Sequence, residues 1–162
     1  MVSSALDHNK PRVLVSGLSN GLGGTEIVVG TCYSIKYYTR RYIKALSSYA
    51  TFEFLATSDL SDVAFVHEMN SEIHICPDID RPIKRFEYLD HLFQDEPNRY
   101  QAVWCNFNHL LYADVLRAAQ RANVSVRIAH SHNSRFLGGL PTQVISRFNR
   151  RAALRNSNVR LA

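Results

Sequence analysis

The chain has 162 residues, of which 46% are hydrophobic and 20% charged, so it can bury the core of one ordinary domain and is not a disordered segment. No run reaches the ~18 apolar residues that a membrane-spanning helix needs, and the first ten residues lack the apolar region of a signal peptide. The net charge of +5 is placed unevenly, because residues 135–162 hold six arginines and no acidic residue. Three widely spaced cysteines without a CxxC pattern indicate free thiols in a reducing compartment, which predicts a cytoplasmic protein.

Short apolar segments alternate with segments of helical periodicity after a polar lead over residues 1–10. This alternation is typical of a parallel sheet covered by helices on both faces. We therefore predict an α/β fold over residues 11–162, with a doubly wound, mainly parallel, Rossmann-like sheet. The predicted strands cover residues 12–18, 51–57, 72–76, 101–106, 124–130 and 159–162. The predicted helices cover residues 25–47, with a break near Gly30 or Tyr37, then 62–69, a segment that begins at Pro82, 109–122 and 141–155.

A glycine-rich loop follows the first predicted strand and contains Gly21, Gly23 and Gly24. Ligands of doubly wound sheets bind at the carboxyl ends of the strands, and glycines there let backbone N–H groups approach a phosphate or a sugar hydroxyl. Glu26 stands in the first turn of the next predicted helix, where the helix dipole favours an acidic residue. The loop matches neither G-x-G-x-x-G nor a P-loop, so it indicates either a ligand contact or a tight turn.

Polar residues also follow the fourth and fifth predicted strands, at the same edge of the sheet. His130 ends the fifth strand and is followed by His132 and Asn133, and Asn106 ends the fourth strand. A neutral imidazole can donate or accept a hydrogen bond to a sugar hydroxyl, which makes the histidines candidate ligand contacts. They can also be structural histidines or a weak metal pair, but no third ligand stands at a supporting spacing and no metal is predicted. The asparagines of this segment either line the cleft or cap the following helix.

Arg147, Arg151 and Arg155 recur every four residues and form one stripe on the last predicted helix. A solvated helix face is one interpretation of the stripe. A surface that contacts phosphate, anionic lipid or an absent partner domain is the other. No aromatic residues are interleaved with basic ones in a recognised motif, so we predict no nucleic-acid partner.

Two strings of residues, Gly-Gly-Thr-Glu after the first strand and Arg-Ile-Ala-His-Ser-His-Asn at the fifth, occur in this order with Trp-Cys-Asn in the fourth strand. From about Lys10 onward the chain resembles the N-terminal half of GT-B glycosyltransferases of family 4 (group 1), above all bacterial enzymes of capsular and exopolysaccharide synthesis. The resemblance implies retaining transfer of a sugar from a nucleotide-diphosphate sugar to a glycan or lipid-linked acceptor, without a permanently bound cofactor. His130 matches the family histidine that contacts the transferring sugar, and His132 is the alternative. The implied substrate-binding residues are Gly21, Gly23, Gly24, Glu26, Asn106, His132 and Asn133.

The chain departs from this family in length, because such enzymes are about twice as long or more. Their second domain carries most donor contacts, including an E-x7-E motif and a basic residue for the diphosphate. We therefore expect an acceptor-side domain that is truncated before the donor-binding domain and is inactive alone, with Arg147, Arg151 and Arg155 in peripheral contact with the inner membrane face. The alternative is a non-catalytic nucleotide- or ligand-binding Rossmann module, or a subunit completed by a second polypeptide.

Overall fold

The computed structural model describes residues 10–17, 37–56, 66, 71–77, 81–107, 113–132 and 140–161. The strands are β1 (Arg12–Ser16), β2 (Thr51–Ala56), β3 (Ile73–Ile75), β4 (Ala102–Phe107), β5 (Val126–Ser131) and β6 (Val159–Leu161). The helices are α1 (residues 37–46), α2 (Pro82–Gln94), α3 (Asp114–Arg121) and α4 (Leu140–Asn156). Each predicted strand is present, with ends that differ by one or two residues.

The described strands form one six-stranded sheet in the order β3-β2-β1-β4-β5-β6, and every neighbouring pair is parallel. The order reverses at β1, where Val15 lies between Phe54 of β2 and Trp104 of β4. Ligands of doubly wound sheets bind beside such a reversal, outside the carboxyl ends of the strands. The predicted doubly wound parallel sheet is therefore confirmed, and the reversal lies between β1 and β4.

The two faces of the sheet bury separate clusters, because successive residues of a strand point to opposite faces. Leu14 and Val103 belong to a cluster with Leu89 of α2, Leu116 of α3 and Ala153 of α4. We call this side of the sheet the α2–α4 face. Helices pack on it as the alternation of elements predicted.

The opposite side, which we call the α1 face, buries Val15, Phe54 and Trp104 against Ile43 of α1. Val66 is helical and joins the same cluster, in agreement with the short helix predicted around it. Both faces of the sheet are thus covered, which leaves the strand ends as the place for a site.

Helix α2 buries Leu89 and Phe93 but leaves the apolar residues nearer its start exposed. Ile83 and Phe86 are 74% and 49% exposed, whereas the buried positions are Arg85, Leu89 and Phe93. These three recur every four residues, and the arginine among them is held by a carboxylate of α3. A buried charge is tolerated when it is paired, so an ion pair takes the place of an apolar contact there.

The described part of the chain contains no helix that is long and apolar enough to cross a bilayer. The first half of the long helix predicted over residues 25–47 lies outside the described residues, and residues 37–46 are helical as predicted. The first turns of the helix predicted from residue 109 also lie outside them. Its described part begins at Asp114 and buries Val115 and Leu116, as the periodicity indicates.

Candidate functional site

The chain leaves β1 in direct contact with the end of β4. Gly17 has a φ of +88°, and a Cβ atom built on it would lie 2.0 Å from the backbone oxygen of Asn106. An L side chain rarely adopts this φ and could not occupy this space, so the position requires glycine. Gly17 therefore brings the end of β1 against the carboxyl end of β4.

Asn106 is 5% exposed and connects this contact to His132. Its Nδ2 donates to the backbone oxygen of Ser16 at 3.1 Å, and its Oδ1 lies 3.0 Å from Nε2 of His132. A backbone oxygen only accepts hydrogen bonds, so the orientation of the amide is determined and Oδ1 must accept from His132. His132 consequently carries its proton on Nε2 and keeps the lone pair of Nδ1 for another partner.

His130 is held by the single tryptophan of the chain. Nε1 of Trp104 donates to Nδ1 of His130 at 3.3 Å, and the two rings stack with centroids 5.9 Å apart and planes 17° apart. An indole N–H is only a donor, so Nδ1 of His130 must be the acceptor, and the neutral ring then carries its proton on Nε2. The tautomer of His130 is therefore assigned by Trp104.

The two imidazoles lie side by side, with ring centroids 4.0 Å apart. Burial lowers the pKa of His130. Burial and the neighbouring His130 together lower the pKa of His132 from 6.5 to about 4. Both rings are thus neutral near pH 7. Beside the hydrogen bonds to Trp104 and Asn106, His130 keeps its Nε2 proton as a donor and His132 keeps its Nδ1 lone pair as an acceptor. Such a pair suits the hydroxyl groups of a sugar better than the charge of a diphosphate.

Tyr42 of α1 contacts the tryptophan of this site. Tyr42, which is 51% exposed, contacts Trp104 edge-on with ring centroids 6.0 Å apart. In the sequence, Trp104 stands out only as part of a motif, and Tyr42 does not stand out. Strand periodicity could have found Trp104, because it stands two residues before Asn106 and so lies on the same face of β4.

The structure brings together three of the predicted site residues, Asn106, His130 and His132. Both polar ends of the Asn106 amide are engaged within the protein, so in this structure it orients His132. Contact of these residues with a substrate stays a prediction. The other predicted residues lie outside the described part of the chain, namely Gly21, Gly23, Gly24, Glu26 and Asn133.

Among the described residues, one group has a spacing that could hold a metal ion, namely Glu53, Glu72 and His74. Glu53 stands within β2, His74 within β3 and Glu72 directly before β3. Nη2 of Arg99 already lies 2.9 Å from Glu53 and 2.6 Å from Glu72. A guanidinium in this position occupies the carboxylates that a cation would need, so we interpret the group as a structural ion-pair network.

No family model and no curated protein matches the chain. Its structure aligns with the crystal structure of Acinetobacter baumannii MurG with a TM-score of 0.53 and 14% sequence identity. The chain has the fold of one GT-B half domain. The alignment covers 85% of this chain and 39% of the MurG chain, so the chain spans less than half of that protein. The likeness confirms the predicted fold class.

Proposed function

We propose that the chain is the acceptor-side domain of a retaining glycosyltransferase with the GT-B fold, of the family 4 type. It moves a sugar from a nucleotide-diphosphate sugar to a glycan or lipid-linked acceptor in the synthesis of a surface polysaccharide. The observation that carries this proposal is the pair of neutral imidazoles, His130 and His132, at the carboxyl edge of the sheet. The half-domain fold and the sequence strings around the glycine loop and the histidines support it.

The histidine pair supplies hydrogen bonds to the transferring sugar. His130 offers its Nε2 proton and His132 its Nδ1 lone pair, so one donor and one acceptor can meet neighbouring hydroxyl groups. The pKa of about 4 at His132 makes this ring a weak base near neutral pH, so its role is to position the sugar. His130 is the catalytic residue of the proposal, and it acts by hydrogen-bonding the sugar where charge develops in the transition state.

A second domain supplies the contacts to the donor diphosphate. Residues 11–162 form the acceptor-side domain, preceded by the polar residues 1–10, and the chain spans 39% of the MurG chain with which it aligns. The neutral histidine pair is not a clamp for a diphosphate, which needs cationic groups or backbone N–H donors. In this proposal the glycine loop with Gly21, Gly23 and Gly24 supplies backbone N–H donors, and the second domain supplies the cationic groups.

The protein works in the cytoplasm beside the inner face of the membrane. Arg147, Arg151 and Arg155 are exposed along α4, as the stripe predicts. Exposed arginines attract the anionic surface of a bilayer, which would hold the domain close to a lipid-linked acceptor.

The test uses the complete protein isolated from its source cell, whose intact mass is measured first. Transfer of radiolabelled sugar is then followed for a panel of nucleotide-diphosphate sugars. We expect His130→Ala to lower kcat/KM by about 10²–10³-fold, the effect of losing one donor to a transition-state charge, with little change in melting temperature. The matched control is His91→Ala on α2, since His91 is 74% exposed and far from the edge.

Unimpaired turnover by the His130→Ala protein would remove His130 from the catalytic role. Donor binding without turnover by the complete protein would favour the non-catalytic ligand-binding module instead.

A further inference from the structure

A cleft between α3 and α4 is lined by three arginines, Arg117 of α3 and Arg151 and Arg155 of α4. Its volume is about 620 Å³, which lies in the range of small-molecule sites. It opens on the α2–α4 face, whereas the histidine pair belongs to the α1 face and the strand ends. The cleft is therefore separate from the proposed sugar site.

Among the described residues, no carboxylate forms a salt bridge with Arg117, Arg151 or Arg155. Two acidic side chains of α2 and α3 are paired with other arginines, Asp114 with Arg85 and Asp90 with Arg121. After Asp114 the sequence has nine arginines, no lysine and no acidic residue. The dipole at the carboxyl end of α4 accounts for a basic residue at Arg155, but not for the other two arginines.

The remaining lining suits a ligand that is more than a bare ion. Gln120 and Asn156 bring amide groups, and the ring of Phe148 is 67% exposed beside the arginines. Guanidinium groups bind phosphate oxygens through two parallel hydrogen bonds, which lysine cannot do. Three guanidinium groups on two helices offer a multiply charged anion more hydrogen bonds than a single arginine does.

We propose that the α3–α4 cleft binds a phosphate-bearing ligand with at least two negative charges. Binding relieves the mutual repulsion of the three arginines, and Phe148 contacts the organic part of the ligand. The phosphate is either that of a soluble compound or that of a lipid headgroup, and the chemistry of the cleft is the same for both. This site goes beyond sugar transfer and does not depend on it.

One exposed arginine of the same helix lies outside the cleft, which makes a matched control available. Arg150 is exposed on α4 and belongs neither to the stripe of Arg147, Arg151 and Arg155 nor to the lining of the cleft. Its replacement by glutamine removes the same charge from α4 and leaves the cleft intact.

The experiment titrates the purified chain with inorganic phosphate and diphosphate and follows the NMR signals of the arginine Nε–H groups. A parallel arm measures sedimentation with phosphatidylglycerol vesicles, with phosphatidylcholine vesicles as the neutral reference. We expect Arg117→Gln and Arg151→Gln each to weaken binding by about 10–100-fold, the effect of losing one charge-assisted hydrogen bond. We expect Arg150→Gln to leave it within about twofold, because Arg150 does not line the cleft and would make no hydrogen bond to the bound phosphate.

Binding of the soluble anions identifies a free phosphate compound as the ligand class. Binding of anionic vesicles alone, with the same sensitivity to Arg117 and Arg151, identifies a lipid headgroup. Fluorescence of Trp104 should stay unchanged in both cases, because this ring lies on the other side of the sheet. The proposal is overturned if neither arm binds, or if Arg150→Gln loses as much binding as the cleft variants.

Discussion

At the scale of single residues, the site depends on one backbone conformation and two side-chain hydrogen bonds. Gly17 allows the chain to turn against the end of β4, and Asn106 and Trp104 hold the two histidines. The histidines themselves could be singled out from the sequence, because polar residues at the end of a buried strand are poorly explained by packing. Asn106 could be singled out in the same way, but its hydrogen bonds could not, since its partners Ser16 and His132 lie 90 and 26 positions away in the chain.

We expect Gly17→Ala to destabilise the protein by about 2–5 kcal/mol, through backbone strain and the collision with Asn106. The control is Asn123→Ala, because Asn123 also has a positive φ, of 58°, in a turn after α3. This control keeps the backbone strain without the collision and should cost about 1 kcal/mol. Urea unfolding of both variants measures the difference. Equal losses in the free energy of unfolding would mean that the collision with β4 adds nothing to the cost of Gly17→Ala.

The protonation of His132 should be visible in NMR spectra of its imidazole. We expect the Nε2–H tautomer at pH 7 and a pKa of about 4. The folded pKa lies below the unfolded value of 6.5, so the unfolded chain binds more protons between these two values. The contribution of His132 to stability is therefore complete above pH 6.5 and falls as the pH decreases toward 4.

Replacement by glutamine provides the comparison, since His132→Gln retains a donor for Asn106 and has no titrating ring. The wild-type free energy of unfolding should decline more steeply from pH 6.5 to pH 4 than that of this variant. Parallel curves would contradict the lowered pKa.

At the scale of elements, the strands and helices are linked by ion pairs that periodicity does not reveal. Glu53 stands in the middle of the apolar strand β2 and is only 6% exposed. The hydroxyl of Tyr100 donates to it at 2.6 Å, and His74 and Arg99 each contact it at 2.9 Å. Burial alone would raise the pKa of Glu53, but these hydrogen bonds and the charge of Arg99 lower it to about 2.

We expect Glu53→Gln to cost about 2–4 kcal/mol at pH 7, because it leaves the buried partners of the carboxylate without their charge. The folded pKa is lowered, so this stabilisation is present above the unfolded pKa of 4.5 and is lost as the pH falls through about 2. Chemical unfolding at several pH values tests both the size and the pH window.

The control for this change is Glu96→Gln. Glu96 also contacts Arg99, at 2.8 Å, but it is 60% exposed. An exposed ion pair contributes within about 1 kcal/mol, so this variant should be close to wild type. A comparable loss in both variants would show that burial of Glu53 is not the cause.

Helix α2 is also linked to another element by a buried ion pair. Arg85 donates to Asp114 of α3, and its Nη1 lies 3.0 Å from the backbone oxygen of Pro77 and 3.3 Å from Sγ of Cys76. One side chain thereby connects α2 to α3 and to the end of β3. Periodicity assigned the helix correctly but does not reveal the burial of Arg85, because an arginine is buried only when a partner from another element reaches it.

At the scale of the whole molecule, the stability of the sheet should decrease from its centre to its edges. Leu14 and Val15 of the central strand β1 are fully buried, whereas all three residues of β6 are exposed. Amide hydrogens in exposed edge strands exchange by local opening, and those of a buried centre exchange only when the whole domain unfolds.

We therefore expect hydrogen exchange to be slowest in β1 and β4 and fastest in β6, as measured by mass spectrometry after brief labelling. Denaturant at low concentration should accelerate exchange in β6 least, since local opening exposes little surface. Strong protection of β6 would mean that another chain or domain covers this edge in solution.

The order of strands and helices follows from the sequence alone, because periodicity, glycine and proline act within a few neighbouring residues. The same local signals place the histidines and the glycine loop at the carboxyl edge, since parallel strands end on one side. The tertiary structure decides which residues meet there. The tautomers of His130 and His132, the burial of Arg85 and the three arginines of the α3–α4 cleft all depend on side chains from different elements. Such contacts depend on the order of strands in the sheet and the packing of helices on it, which local periodicity does not contain.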